Sequence, residues 1–466
     1  MFTFTKDFNC CKTVHCKNFA VANSADYIQK SWQLGYLSIG CKLCGSYPPW
    51  IDNQLVEQLL KEKLDVHFAR KLIDCPACAP YFFFSVSPKA TAYGYTSAGR
   101  QRKKCSVCQR VFTPPYFKNR HALRLVLSSI IANQEIKESI NATGLSARLY
   151  YFYLEKLAQI FADFSRLNEE KVMHRYHLAL HTHGKVLHLA HKKGFYTLLS
   201  AEADSGYIVL QTNNLTKIFL TENAIYQSKE NTIISVDNDN DLEKRLINRY
   251  EQTLNRKHFE QVLVGELKPL TKSLLISPDK LIYAHFQLLT AFTAKASYYT
   301  HYIEHESCLR AAALMASSAD IKKSSAAVYF FLAHPKKGND LQGKKIGWWH
   351  DKWFSNDFGA YCPIAAKVNF KNDLKLKNAA SIDQFYAYLD KNMCKGINSL
   401  SVLNHLSEIH RVIFNYCDLG KNSTRATLLG LCDTLYSPQT LLDKALAGLV
   451  NGCTQATSKC KRQQHE

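Results

Sequence analysis

Nine cysteines fall in the first 108 residues, and all but Cys10 follow a regular spacing. Cys11 and Cys16 are separated by four residues, and Cys41–Cys44, Cys75–Cys78 and Cys105–Cys108 each form a CxxC. Grouped as 11/16 with 41/44 and 75/78 with 105/108, the pairs stand 24 and 26 residues apart. Two thiolates on one tight turn and two on another give the tetrahedral sulfur set that structural zinc prefers. Two zinc ions are therefore the expected cofactors, with Cys10 and His15 as competitors for ligand positions in the first set. A thioredoxin-like redox pair would place one CxxC where a strand enters a helix, not three in a row. Cys308, Cys362, Cys394, Cys417, Cys432, Cys453 and Cys460 lack any such spacing and read as packing or tail residues.

Around the second set the charge is one-sided. No acidic residue occurs between Asp74 and Glu135, while Lys89, Arg100, Arg102, Lys103, Lys104, Arg110, Lys118, Arg120 and Arg124 are all basic. Tyr93, Tyr95, Phe112, Tyr116 and Phe117 interleave with them. Cations fixed on a metal-stiffened loop suit contacts to phosphates, which give affinity without reading sequence. Arg100, Arg102, Lys103, Lys104 and Arg110 are the candidates for that role.

Residues 117–171 read as helical, and within them lies a helix-turn-helix pattern. Ile136–Thr143 is a first helix, Gly144–Leu145–Ser146 a tight corner, and Ala147–Phe161 a second helix. Gly144 can supply the positive φ of the corner and Ser146 can cap the second helix. Ser146 and Arg148, with Tyr150 and Tyr151, would then face a DNA groove. Beyond residue 172 strands and helices mix. Strand-like segments at Tyr176–Ala190, Phe195–Asp204 and Gly206–Leu215 precede helices at Leu242–Glu260 and Leu281–Ala294. A strand at Ser297–Ile303, a helix from Cys308 and a buried strand at Ala326–Leu332 follow. Three strands, a helical segment, a strand, a helix and a strand is the order of a ribonuclease H-like core.

The whole is a multidomain α+β chain. Its expected parts are a paired zinc-ribbon domain (1–116), a helix-turn-helix region (117–171), a ribonuclease H-like domain (172–375), a helical C-terminal region (376–450) and a flexible tail (451–466). At 466 residues the chain has room for about three domains. A hydrophobic fraction of 46% with 21% charged residues excludes a wholly disordered protein. The net charge of +20 favours a polyanionic partner. No apolar run approaches the roughly 18 residues of a membrane span. Lys6 and Asp7 interrupt the place of a signal peptide's apolar stretch, so the expected location is the cytoplasm.

Several segments are similar to bacterial insertion-sequence transposases of the DDE type with zinc-ribbon N-termini. They are CKNFAV (16–21), CKLCGSYPPW (41–50), YGYTSAGRQRKKCSVCQRVFT (93–113), the GLS corner (144–146), DSGYIV (204–209) and NYCDLGKNSTRATLLGL (415–431). In the last, Arg425 stands where family members usually carry proline. The resemblance implies a bacterial, nucleoid-associated protein that binds double-stranded DNA, self-associates, and has neither a membrane nor a small-molecule substrate as partner. It also implies three carboxylates holding two magnesium or manganese ions.

The first of those carboxylates should lie on the strand YHLALHTHGKVLHLA (176–190), which has His181, His183 and His188 but no acid. The nearest acids are Glu202 and Asp204. The second position resembles YIEHESCLR (302–310), with Glu304 and Glu306, and the third falls at Asp383. Asp204, Glu306 and Asp383 are thus the catalytic candidates. Imidazole is a poor ligand for magnesium. The reading that follows is a mobile-element DNA-binding protein on a degraded catalytic core. One alternative is an active transposase using Glu202 or Asp204 with Glu306 and Asp383, dependent on magnesium or manganese. The other is a zinc-dependent plasmid or phage transcription or replication factor. Asp237, Asp239 and Asp241 resemble part of a calcium loop but lack its glycine and distal glutamate, so a helix-capping loop is expected.

Overall fold

The structure is a computed structural model. It describes residues 6–448 except 33, 69–71, 73–74, 79–89, 115–116, 118, 191–192, 219–224, 227–240, 257–258, 334–340, 348–349, 367–379 and 418–422. In chain order the elements begin with β1 (Tyr27–Ser31), β2 (Ser38–Cys41), α1 (Asn53–His67), β3 (Ala90–Tyr95), β4 (Gln101–Cys105) and β5 (Val111–Phe112). Then come α2 (Arg120–Ile131), α3 (Ile136–Thr143), α4 (Ala147–Glu169), β6 (His177–Ala190), β7 (Lys193–Glu202), β8 (Ile208–Asn213) and β9 (Leu215–Thr216). Next are α5 (Leu242–Leu254), β10 (Leu274–Leu275), α6 (Pro278–Thr293), β11 (Tyr298–Ile303), α7 (Ser307–Ala316), α8 (Ser318–Lys322) and β12 (Ala326–Ala333). The last are β13 (Gln342–Ile346), β14 (Asp351–Asn356), β15 (Gly359–Ala365), α9 (Ser381–Asn392), α10 (Leu400–Tyr416) and α11 (Arg425–Leu428).

Packing divides these into two units, Met1–Lys61 with Met173–Gln384, and Glu62–Val172 with Phe385–Glu466. The sequence suggested one paired domain over 1–116; by packing, the two cysteine sets belong to different units. The physical reason in the first unit is direct. Lys12 is buried and paired with Glu260 at 3.2 Å. Cys10 Sγ lies 3.4 Å from Met315 Sδ, and Lys6 donates to the carbonyl of Ala316 at 3.3 Å.

The first unit is built on an eight-stranded mixed sheet in the order β13-β14-β15-β12-β11-β6-β7-β8. β6, β7 and β8 form an antiparallel meander, β11 runs parallel to β6, and β12 parallel to β11. β7 and β8 are buried along almost their whole length. Their sequences, KGFYTLLSAE and IVLQTN, suit a sheet covered on both faces. The parallel step from β11 to β12 needs a crossover, and the buried helix α7 supplies it. α6 starts with Pro278 at its first turn, where a missing N–H costs nothing, and is buried throughout most of its length. β15, β14 and β13 extend the sheet beyond β12 as an antiparallel ladder, three strands the sequence pattern left unassigned. Asp241 caps α5, accepting from the N–H groups of Glu243 and Lys244 at 3.0 and 3.4 Å. That is the capping role expected of it; Asp237 and Asp239 lie outside the described residues.

In the second unit, α2, α3 and α4 pack on one another and α10 packs on α4. The α4/α10 core holds an ionic cluster. Arg411 donates to Glu169 at 2.8 Å and to Glu408 at 2.6 Å, and Arg166 pairs with the other oxygen of Glu169. All four are buried. Each cation there faces a carboxylate, which is the condition for tolerating charge in a core. β3, β4 and β5 form a separate three-stranded antiparallel sheet. Among the described residues no helix is long and apolar enough to cross a membrane.

Candidate functional site

Each cysteine set folds back on itself through its own backbone. In the first, Cys16 N–H bonds the carbonyl of Thr13 at 3.0 Å, and Gly45 N–H returns to that of Cys41 at 2.9 Å. In the second, Cys78 N–H bonds Cys75 at 3.0 Å, and Gln109 N–H returns to Cys105 at 3.0 Å. The residue after each last CxxC takes a left-handed φ: Gly45 at 68° and Gln109 at 59°. Glycine adopts that conformation freely. At Gln109 the side chain reaches the carbonyl of Ser106 at 3.0 Å.

These turns gather Cys11, Cys16, Cys41 and Cys44 into one cluster and Cys75, Cys78, Cys105 and Cys108 into another, each with its sulfurs within 4.8 Å of one another. Both tetrads can hold a zinc ion. Cys10 and His15 are not part of the first: Cys10 is buried against Met315, and His15 is exposed. Burial pushes the Cys11 thiol up to about 12 and Cys78, crowded also by Cys108, up to about 12. Cys44 is brought down to about 6, because hydrogen bonds from Ser46 and Thr13 outweigh its burial. The backbone N–H of Arg110 brings Cys108 down to about 7. Each tetrad thus has one sulfur ready to ionise and others that ionise only against a compensating cation, as a thiolate-bound metal provides.

Beside the second tetrad the β3–β4 hairpin presents Tyr93 and Tyr95 to solvent. The Arg102 guanidinium lies 5.9 Å and the Lys104 ammonium 5.5 Å from the centre of the Tyr93 ring. Arg100 and Arg110 are exposed. Lys103 is not: strand alternation turns it to the opposite face from Arg102 and Lys104, where it is buried. Lys89, Tyr116 and Lys118 lie outside the described residues.

At the helical corner Gly144 takes a left-handed φ of 64°, and Ser146 accepts from Leu149 N–H at 3.4 Å, as expected of a cap. The second helix runs on to Glu169, because its apolar spacing continues through Leu157, Ile160 and Phe161 into the α10 contact. Its first turns expose Arg148, Leu149, Tyr151 and Phe152. Tyr150 does not face outward; it is buried, with its hydroxyl 3.4 Å from that of Ser129.

The three acids singled out by sequence fall in three places. Asp204 is exposed at the β7–β8 corner, beside the start of β6, where Ala203 N–H bonds the carbonyl of Ala179. Glu306 is buried under a two-pronged pair with Arg256, both contacts 2.6 Å. Asp383, in the first turn of α9, meets the middle of β6. There His183 Nδ1 lies 3.4 Å from Asp383 Oδ1, and His183 Nε2 lies 2.9 Å from Glu304 Oε2. Arg249 of α5 takes the other oxygen of Glu304 at 2.5 Å.

Parallel register explains why Glu304 and not Glu306 reaches this point. Tyr302 is level with His181 and Ile303 with Thr182, and Glu304 N–H continues the ladder to the carbonyl of Thr182, bringing it level with His183. Two residues on, the chain has turned into α7, with Glu306 at its N-cap. His181 is buried edge-on to Phe331, with ring centres 5.5 Å apart, and His188 is exposed.

Burial disfavours a charged His183, but Glu304 and Asp383 outweigh it and raise its pKa to about 10. Glu304, despite burial, is held well below the usual carboxylate range by His183 and Arg249. These residues do not suit a divalent ion of the magnesium type, since one of the three is an imidazole placed between the two acids. Among the described residues, the convergent metal-binding groups are the two cysteine tetrads. No protein-family model matches the chain, and no curated protein or solved structure matches it.

Proposed function

We propose that this chain is a transposase-like DNA-binding protein of a mobile element, with zinc in both cysteine tetrads and a ribonuclease H-like core that has lost its nuclease chemistry. The strand order β8-β7-β6-β11-β12, with three antiparallel strands and then two parallel ones, supports the ribonuclease H-like reading. The observation that carries the reading is the meeting of His183, Glu304 and Asp383. They come from β6, the end of β11 and the first turn of α9, which the transposase reading takes as its three acid positions. With histidine at the first place, metal-assisted strand cleavage lacks a hard oxygen ligand.

DNA is then engaged by the second unit. Arg100, Arg102, Lys104 and Arg110 on the zinc-stiffened hairpin would contact phosphates of double-stranded DNA, and Tyr93 and Tyr95 would lie against the backbone. α3 and α4 would act as a helix-turn-helix, with Arg148, Leu149, Tyr151 and Phe152 in the major groove and Ser146 at its edge. The core would serve for self-association.

The test uses zinc-loaded protein and DNA carrying the inverted repeats that flank its gene, read by gel shift and by nicking with Mg2+ or Mn2+. Tight, repeat-specific binding with no nicking supports the proposal. Metal-dependent nicking abolished by Glu304→Gln overturns it in favour of an active transposase. Binding to a promoter or origin and not to the repeats favours a plasmid or phage regulatory factor.

A further inference from the structure

We infer that His183 is a built-in substitute for a divalent cation, and that the core keeps a latent divalent-metal site which opens when residue 183 is an acid. The inference rests on the reading of the core given above and deepens it. A metal ion in such a place would accept one oxygen from each of two carboxylates. His183 does the same with its two ring nitrogens, one toward Glu304 at 2.9 Å and one toward Asp383 at 3.4 Å. An imidazole uses both nitrogens as donors only when it carries both protons and a positive charge. Arg249 occupies the second oxygen of Glu304 at 2.5 Å. Two carboxylates therefore face two cations, and a metal ion has no charge left to neutralise.

The geometry also says what would remain after substitution. Glu304 is placed by the β6–β11 ladder through Thr182, and Asp383 by the first turn of α9, so neither depends on the imidazole for its backbone position. Asp383 keeps 60% of its side chain exposed, which leaves an entry path on that side. An aspartate at 183 would replace the bridging cation by a third hard ligand.

The test is Mn2+ binding by the full zinc-loaded chain, followed as loss of the electron-spin resonance signal of the hydrated ion. Wild-type protein is expected to leave the signal unchanged. His183→Asp is expected to remove one equivalent of Mn2+ per chain, and Glu304→Gln in that background to restore the signal. Folding of each variant is checked by its zinc content and circular dichroism. If His183→Asp does not fold, His183→Asn, which removes the cation without adding charge, is expected to take up Mn2+ more weakly. A folded variant that binds none overturns the inference, as does wild-type binding that disappears in Glu304→Gln. DNA binding is measured on the same samples. Loss of repeat recognition with Mn2+ uptake intact would sink the DNA reading and leave the latent site standing, and the reverse result separates them the other way.

Discussion

In the tetrad of Cys11, Cys16, Cys41 and Cys44, the sulfurs have other thiols, hydroxyls and backbone groups as partners. Around His183 the two carboxylates meet an imidazole and a guanidinium. Both are convergences of groups that become anions. That tetrad has no cationic side chain among those partners and could be completed by a metal ion; the core site carries its own cations. Convergent acids alone do not identify a metal site. What decides is whether the protein has already supplied the compensating charge.

Removing zinc should break the comparison most severely on the tetrad side. Structural zinc contributes about 10–16 kcal/mol in small zinc-binding peptides, so Cys41→Ser or Cys105→Ser should abolish metal retention in the affected tetrad and unfold it locally. Zinc content and limited proteolysis would show this, and full zinc occupancy in either variant would contradict it. Next in size is Glu306→Ala. It strands the buried Arg256 and should destabilise by about 3–5 kcal/mol in urea unfolding. Glu304→Gln, which keeps the side chain's size and one oxygen for Arg249, should cost clearly less; equal losses would erase the distinction between a structural acid and a site acid.

A pH series sharpens the core side. The pKa of His183 is raised from an ordinary 6.5 to about 10 in the folded chain. Its stabilising contribution is therefore fully present below about pH 6.5 and is lost as pH climbs through 10. With solvent screening at the exposed Asp383, the effect should be on the order of 1 kcal/mol. The stability gap between wild type and His183→Asn should shrink between pH 6 and pH 10, and a gap that widens would mean the imidazole is neutral there. The smallest effect compares the two knuckles. Gly45→Ala should cost about 1 kcal/mol, from its positive φ alone, because a Cβ there would touch nothing. Gln109→Gly should fall within roughly 0.5 kcal/mol of wild type, since the relieved backbone offsets the lost bond to Ser106.

Much of this was legible because it is local. The cysteine spacing led to the tetrads, the Gly144–Ser146 corner to a capped helix pair, and the segments from 176 to 332 to the main strands and helices observed there, although the helix expected over Leu242–Glu260 ends at Leu254 and the short β9, β10 and α8 were missed. Asp383 was found at the start of its helix. What sequence missed depends on register and on which way a side chain turns. Glu304 and Glu306 have the same strand parity, and only the turn into α7 sends one to His183 and the other to Arg256. Lys103 sits inside a run of exposed cations yet alternates inward, and Tyr150 sits between exposed neighbours yet lies on the packed stripe of α4. Arg249 had no signal at all, since it reaches Glu304 from 55 residues away. The strands over 342–365 are short and mix exposed and buried residues without a clean alternation, so their pattern was too weak to assign.

The fastening of the first tetrad has a consequence in time. Lys6 bonds Ala316 across 310 residues, Cys10 packs on Met315 across 305, and Lys12 pairs with Glu260 across 248. During synthesis the tetrad is the first part of its unit to emerge and among the last to find its seat. Zinc can close the loop between Cys11 and Cys44 while the surface it will cover has not been made. Completion of that unit is therefore a late, long-range event, slowed by the long loops that must be closed, and best followed as a refolding phase that buries Cys10.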